Sequence, residues 1–339
     1  MNNSEACTTF CFQDESGHIV FGRNFDFPSG LGHVVVNHRN LQKTAFIRPP
    51  EKPITWVSKF GSISFNQNGR EFPYGGMNEA GLVIEQMWLQ ETKYPAHDHR
   101  YGLSELQWIQ YQLDNAATVQ EVIDSDTLLR VSFTSVATLH FLVADKHGNV
   151  AAIEYLDGKM VVHQGEALRY PVLANCPYER SLEYKKHKDD KSSTSFTDWT
   201  ENSSGRFATA AGMIKEYSPG RQNVVSEAFD ILNAVSQGPS TQWSIVYDIT
   251  TREIAWKTAA NSHIRKISMN DFDFSCSAPA LVVDINTAVD SPAAFLPYDE
   301  KTNFELIDGV CNAVEFLSQI PPEARRATAA YPNSIHCAE

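Results

Sequence analysis

Two short strand-like runs near the start of the chain restrict its architecture more than any other feature. Thr8-Thr9-Phe10-Cys11-Phe12 has the β-branched and aromatic character of a strand. It runs to Gln13, and Asp14-Glu15-Ser16-Gly17-His18 reads as a turn. Ile19 to Phe27 then reads as the return strand of an antiparallel hairpin. Pairing of these runs brings Arg23 and Asp26 back towards Cys7. One end of one hairpin thus gathers a thiol, a cation and a carboxylate. A cysteine in an apolar strand is ordinarily an inert, buried small hydrophobe, and Cys11, deeper in the strand with the same side-chain parity, is read that way. Cys7 differs in its place, directly after the polar stretch Met1 to Ala6. If that leader is removed, Cys7 carries a thiol and a free α-amine. The reference pKa of the amine, roughly 8, lies just below the thiol's roughly 8.5. One residue then supplies nucleophile and base without a histidine.

Composition narrows the function classes. The chain has 339 residues, 28 Lys and Arg and 41 Asp and Glu, for a net charge of −13. This acidic balance, with no basic run, argues against nucleic acid and anionic membrane as partners. No apolar run approaches the roughly 18 residues of a membrane span, and the N-terminal residues carry no signal-peptide core. The six cysteines form no Cys-x-x-Cys pair, which excludes zinc-ribbon and thioredoxin-like readings. Their spread suits reduced thiols in a cytoplasmic protein. His97-Asp98-His99 lies in a proline-flanked loop and reads as solvated charge rather than a metal site. Neither a metal cluster nor a glycine-rich phosphate loop is evident, so no metal and no cofactor is expected.

Several segments can be placed by pattern. Strands are expected at Val34 to Asn37, Trp56 to Phe65 and Leu82 to Leu89. A three-strand meander is expected over Val136 to Val143, Val150 to Leu156 and Lys159 to His163. Ser104 with Gln107 has the form of a capping box opening a helix through Leu113, and Thr118 to Ile123 continues as helix. Glu183 to Asn202, polar and poor in large apolar residues, reads as a mobile surface excursion. Helices are expected at Gly205 to Tyr217, Val224 to Val235 and Asn303 to Leu317. A last hairpin is expected over Thr241 to Ile249 and Arg252 to Lys257. Antiparallel hairpins throughout exclude a βαβ pattern. The blocks fit an α+β fold of two stacked antiparallel sheets covered by helices. One domain over residues 7–339 is expected.

Cys7-Thr8 opening a strand, followed by Gly22-Arg23-Asn24-Phe25-Asp26-Phe27, resembles the start of the choloylglycine hydrolases and penicillin V acylases. These are linear-amide hydrolases of the N-terminal-nucleophile superfamily. Gly76-Met77-Asn78-Glu79-Ala80-Gly81-Leu82 is similar to the family's Asn-Glu-x-Gly-Leu turn. Leu173-Ala174-Asn175-Cys176-Pro177 is similar to its strand-end asparagine. Ser203-Ser204-Gly205-Arg206-Phe207 is similar to its Ser-Ser-x-x-Arg-Phe element, shortened by one residue. The markers run in the family's order through about two thirds of the chain, and little beyond Ser275 matches.

The resemblance implies a four-layer α-β-β-α sandwich with the nucleophile's strand central. It implies a self-processing amidase acting on a small-molecule N-acyl amide: a bile-salt, penicillin V, N-acyl homoserine lactone or N-acyl amino acid type. Cys7 would attack the carbonyl and Arg23 would favour its thiolate. Asp26 would hold the α-ammonium, Asn78 and Asn175 would donate to the oxyanion, and Arg206 would complete the polar rim. Without the resemblance these are ordinary strand-end, turn and helix-start residues. Phe27, Phe65 and Trp88 are the aromatics expected to bind the acyl group, and the loops Phe27 to Gly32, Asn66 to Gly75 and Lys93 to Tyr101 are expected to set specificity. Relatives are often homotetramers, so a homo-oligomer is expected. Two alternatives stand beside this one. A Cys-His thiol hydrolase would use His140 or His163 as base without processing, and a binding protein could retain the scaffold without catalysis.

Overall fold

The computed structural model describes residues 6–190, 195–217, 223–289 and 291–338; the leader residues 1–5 and positions 191–194 of the polar excursion lie outside them. Two antiparallel sheets form the centre. The first, of six strands, runs Val172–Leu173, Thr8–Gln13, Ile19–Asp26, Thr241–Asp248, Glu253–Thr258, Arg265–Ser268 in spatial order. The second, of nine strands, runs Lys159–Gln164, Val150–Leu156, Leu139–Ala144, Val83–Trp88, Pro73–Asn78, Ser62–Asn66, His33–Asn37, Leu281–Asp284, Leu296–Pro297. Among the described residues seven helices accompany them: α1 (Trp108–Asn115), α2 (Val119–Asp124), α3 (Tyr178–Asp189), α4 (Asp198–Glu216), α5 (Val224–Ala234), α6 (Glu300–Ala313) and α7 (Pro322–Ala330). Helices α4 and α5 cover the six-stranded sheet, and α1 covers the nine-stranded one. The expected sandwich of two antiparallel sheets between helices is therefore the observed architecture.

Strand parity explains how the hairpin sorts its side chains. Thr9 lies opposite Arg23 and Cys11 opposite Phe21, so these residues share one face of the sheet. That face turns towards the second sheet, where Phe65 meets Tyr247 and Trp256 edge to face across the gap, at centroid distances of 6.0 Å in both cases. Asn24 faces the other way. Its side chain donates to the Leu232 carbonyl of α5 (2.7 Å) and accepts from Ser244 (2.8 Å), which fastens the helix layer to the sheet. Phe10 shares that outer face and lies opposite Gly22. A Cβ at Gly22 would sit 2.4 Å from the Phe10 ring, so the close approach requires glycine.

Several sequence expectations are corrected. Ser104 ends a strand, Tyr101–Ser104, paired in parallel with Leu129–Ser132; the helix starts at Trp108 and no side chain caps it at Gln107. The run Trp56 to Phe65 is two strands, Thr55–Val57 and Ser62–Asn66, belonging to different sheets. Most of Glu183 to Asn202 is helical, as the end of α3 and the start of α4. Helix α3 lacks an apolar stripe because its buried face is Tyr178, Ser181, Tyr184 and the stem of Lys185. Its first amide, at Tyr178, donates to the buried carboxylate of Glu154 (3.1 Å), which also suits the positive end of the helix dipole. Nor are all six cysteines free: Cys276 and Cys337 form a disulfide.

Candidate active site

Cys7 stands one residue ahead of the first strand, 6 % exposed, at the floor of a cavity of about 670 Å³. Arg23 and Asp26 line the same cavity, so the hairpin gathers the three groups as the sequence suggests. The Arg23 guanidinium reaches the Cys7 sulfur (Nη2 to Sγ, 3.7 Å) and the Gln86 carbonyl (3.2 Å). Its other arm forms a buried ion pair with Glu85 of the second sheet at 2.5 Å. Tyr247 donates to the second Glu85 oxygen, also at 2.5 Å. Burial pushes the Glu85 carboxyl up to about 7 against the pull of Arg23 and Tyr247. Burial opposes the charge on Arg23, but Glu85, Cys7 and Tyr247 together outweigh it and hold the guanidinium protonated above its ordinary range. A fixed cation beside a buried thiol is the result. Burial and the charge of Asp26 raise the Cys7 pKa, while Arg23 and the backbone N–H of Asp26 work to lower it, and the net shift is upward.

Asp26 is placed by the end of the return strand. Its Oδ1 accepts from the Thr241 hydroxyl, and that hydroxyl is itself fixed by the Gln237 amide (2.8 Å) and Ser236 (3.0 Å). Its Oδ2 is buried and has no hydrogen-bond partner among the described residues. Burial, only partly offset by Arg206, Thr241 and Arg23, pushes this carboxyl up to about 6. An unsatisfied buried carboxylate oxygen in the cavity that holds Cys7 is costly in a fold, and it is suited to receive a cation.

Arg206 lies deeper than a rim residue. From α4 it donates to the Cys7 carbonyl, to Thr8 Oγ1 and to Asn175 Oδ1 (3.1 Å). Asn175 is held on three sides: its backbone N–H by Ser203 (2.8 Å), its Oδ1 by Arg206, and one hydrogen of its amide by the Trp88 carbonyl (2.8 Å). Ser203, Ser204 and Arg206 all lie within the single helix α4.

Arg206 and Asn175 do not themselves line the cavity but are joined to the Cys7 carbonyl through Arg206. Two further expected site residues fall elsewhere. Both amide hydrogens of Asn78 are taken, by the Leu113 and Ala116 carbonyls (2.8 Å each), and its Oδ1 accepts from Leu82. Asn78 thus ties α1 to a turn, does not line the cavity and has no donor left for an oxyanion. Phe65 is fully buried between the sheets and belongs to the core. Phe27 and Trp88 do line the cavity, and Phe316 packs against both rings at centroid distances of 6.1 and 6.2 Å. The histidines are occupied away from the cavity. His140 bridges Glu154 (3.1 Å) and the Ala174 carbonyl (2.7 Å), and His163 stands 3.3 and 3.4 Å from Glu154 and Glu179. Asp98 pairs with Arg100 at 2.7 Å. Among the described residues no group of three or more His, Cys, Asp or Glu side chains is placed to hold a metal.

Reading the sequence missed Glu85, Tyr247 and Thr241, and also much of the cavity wall. Glu85 had a signal: a lone acid in the buried strand Val83–Trp88, facing Gly75, where a Cβ would lie 2.0 Å from its carboxyl carbon. Of the loops expected to set specificity, Asn66 to Gly75 contributes Asn68, Phe72 and Tyr74, and Phe27 comes from the first loop. Lys93 to Tyr101 contributes nothing. The wall is completed by residues 46–51 and 132–137 and by a C-terminal stretch beginning at Phe316.

Residues 7–282 match the family model described as linear amide C–N hydrolases, choloylglycine hydrolase family. The chain belongs to that family. It is 28 % identical over 318 residues to penicillin V acylase of Pectobacterium atrosepticum, covering 80 % of this chain and 83 % of that one. The structure of penicillin V acylase from Agrobacterium tumefaciens superposes with a TM-score of 0.74 at 25 % identity, over 86 % of this chain and 98 % of that one. A variant of conjugated bile acid hydrolase from Clostridium perfringens, at 17 % identity, shares the fold with a TM-score of 0.68 over 86 % and 99 % of the two chains. The protein is thus an enzyme of the amidase and acylase type. No helix among the described residues is long and apolar enough to cross a membrane.

Proposed function

We propose that the protein hydrolyses the linear amide of a small N-acyl compound, with Cys7 as nucleophile and its own α-amine as base once the preceding residues are cleaved. The carrying observation is the buried Oδ2 of Asp26, without a partner among the described residues, in the cavity that holds Cys7. Cleavage after Ala6 would turn the Cys7 amide nitrogen into an ammonium or amine for that oxygen to hold. One feature supports this reading: the family match begins at Cys7. The Cys7 sulfur attacks the acyl carbon while the α-amine takes the thiol proton and later delivers it to the leaving nitrogen. The second amide hydrogen of Asn175 serves the developing oxyanion, a contribution of roughly 3 kcal/mol for one such donor. Water then cleaves the thioester and releases the acid. The apolar cavity takes the acyl side, with Trp88 and Phe27 nearest the reacting carbon. A Cys-His mechanism is disfavoured because His140 and His163 are both engaged with Glu154 and do not line the cavity.

The test combines intact mass with hydrolysis of a panel of N-acyl amides: penicillin V, conjugated bile salts, N-acyl homoserine lactones and N-acyl amino acids. The expected active species begins at Cys7. Cys7→Ala should keep its fold and lose turnover of every panel member. Full activity in a chain still carrying residues 1–6, or in Cys7→Ala, rejects the mechanism.

A further inference from the structure

The family match ends at residue 282, yet the cavity does not. Part of its wall is Phe316, Leu317, Ile320, Ala324, Ala327 and Thr328, from the turn after α6 and from α7. This stretch is built to hold a shape. Arg325, 6 % exposed, reaches back from α7 and donates to the Ile320 carbonyl (2.8 Å), the Ser318 carbonyl (2.9 Å), Asp308 (2.8 Å) and Asn312 (2.8 Å). One planar guanidinium therefore pins the turn that carries Phe316, Leu317 and Ile320. Asn303 of α6 donates to the Ala329 carbonyl (3.0 Å) and accepts from the Arg70 amide (2.9 Å), joining α6, α7 and the body of the protein. Tyr331 packs on Phe46 and Phe72, which also line the cavity, and donates to the Thr44 carbonyl (2.8 Å). Beyond it, strand His336–Cys337 pairs with Leu41 and Gln42, and the disulfide from Cys337 to Cys276 closes the strap.

We propose that residues 314–328 are the specificity element of the acyl site: they line the cavity that takes the acyl group's hydrocarbon chain and limit how long a chain it admits. The inference rests on the acyl-amide reading above. Two observations favour a hydrocarbon end over a polar one. The side chains this segment offers are apolar save for Thr328. The two cavity-lining alanines of α7, Ala324 and Ala327, are also only half-buried, leaving room where larger side chains would fill the cavity. Arg325 is a positioning residue for this wall and touches no substrate.

Ala327→Phe and Ala324→Phe fill that room without disturbing a packed core, and Arg325→Met releases the turn. Two readouts are needed. The first is binding of butanoate and dodecanoate to each variant in a Cys7→Ala background by calorimetry, which does not depend on turnover. The second is kcat/KM for butanoyl and dodecanoyl amides of the same amine. The alanine variants should weaken dodecanoate at least tenfold more than butanoate and lower the dodecanoyl-to-butanoyl ratio of kcat/KM at least tenfold. Arg325→Met should raise KM for the long chain more than it lowers kcat. Unchanged dodecanoate affinity in both alanine variants, or equal losses for both chain lengths, overturns the inference. Absence of turnover in the wild type together with chain-length-dependent binding would reject the catalytic reading and keep this one.

Discussion

Asp26 shows how one residue can cost stability and carry function. Its carboxyl titrates at about 6 in the fold, against roughly 3.9 in an unfolded chain. The native state therefore binds more protons than the unfolded state between those values, and stability falls as pH rises through that window. At pH 7 the penalty is of order 3 kcal/mol, a tenfold change in proton affinity being worth about 1.4 kcal/mol. In a Cys7→Ala background, Asp26→Asn should thus raise stability at pH 7, read as a higher urea midpoint, and the gain should vanish near pH 4. With Cys7 present the same change should abolish turnover, because an amide cannot counter an ammonium. The wild-type rate should fall as the carboxylate protonates, giving an acid limb at or below about pH 6. A stability loss in Asp26→Asn at pH 7 would show that Oδ2 is satisfied. Arg23 and Asp26 were legible from the hairpin because side-chain parity and strand return are local. Glu85, which fixes Arg23, was not, because their meeting depends on the register of two sheets 62 residues apart in sequence.

Elements were legible where burial follows a simple period. The strand Val150–Leu156 and the start of helix α5 at Val224 lie where alternation and helical spacing place them. They were illegible where long-range contacts replace the apolar stripe. Helix α3 is held by tyrosines and a buried carboxylate, and Ser104 is drawn into a strand by a partner well downstream, Leu129–Ser132. The nucleophile hairpin carries a sharper constraint. Gly22→Ala forces a methyl against the Phe10 ring and should cost about 1–3 kcal/mol as overpacking. Chemical denaturation reads this directly, and Phe10→Leu in the same chain should recover part of it. Gly22→Ala with an unchanged midpoint would mean that the two strands separate easily.

At the scale of the molecule, the sandwich was legible in outline because hairpin after hairpin leaves few alternatives. The C-terminal strap was not, since neither cysteine spacing nor periodicity links Cys276 to Cys337. Their bond closes a loop of 61 residues' separation, and Cys337→Ser should lower stability by about 2–4 kcal/mol. Mild reduction of the wild type should give the same loss in thermal melting; an unchanged melting temperature would show that the noncovalent contacts of the strap suffice. The sheets themselves divide the chemistry between them. Cys7, Arg23 and Asp26 ride on the six-stranded sheet, while Glu85 and Trp88 ride on the nine-stranded one. The width of the gap between the sheets thus serves as the gauge of the reaction centre. A slight swelling of that gap would detach Glu85 from Arg23 while every strand stayed paired. Along a urea titration, turnover should therefore fade before the circular dichroism of the sheets changes, and the protein should fall silent as a catalyst while still folded.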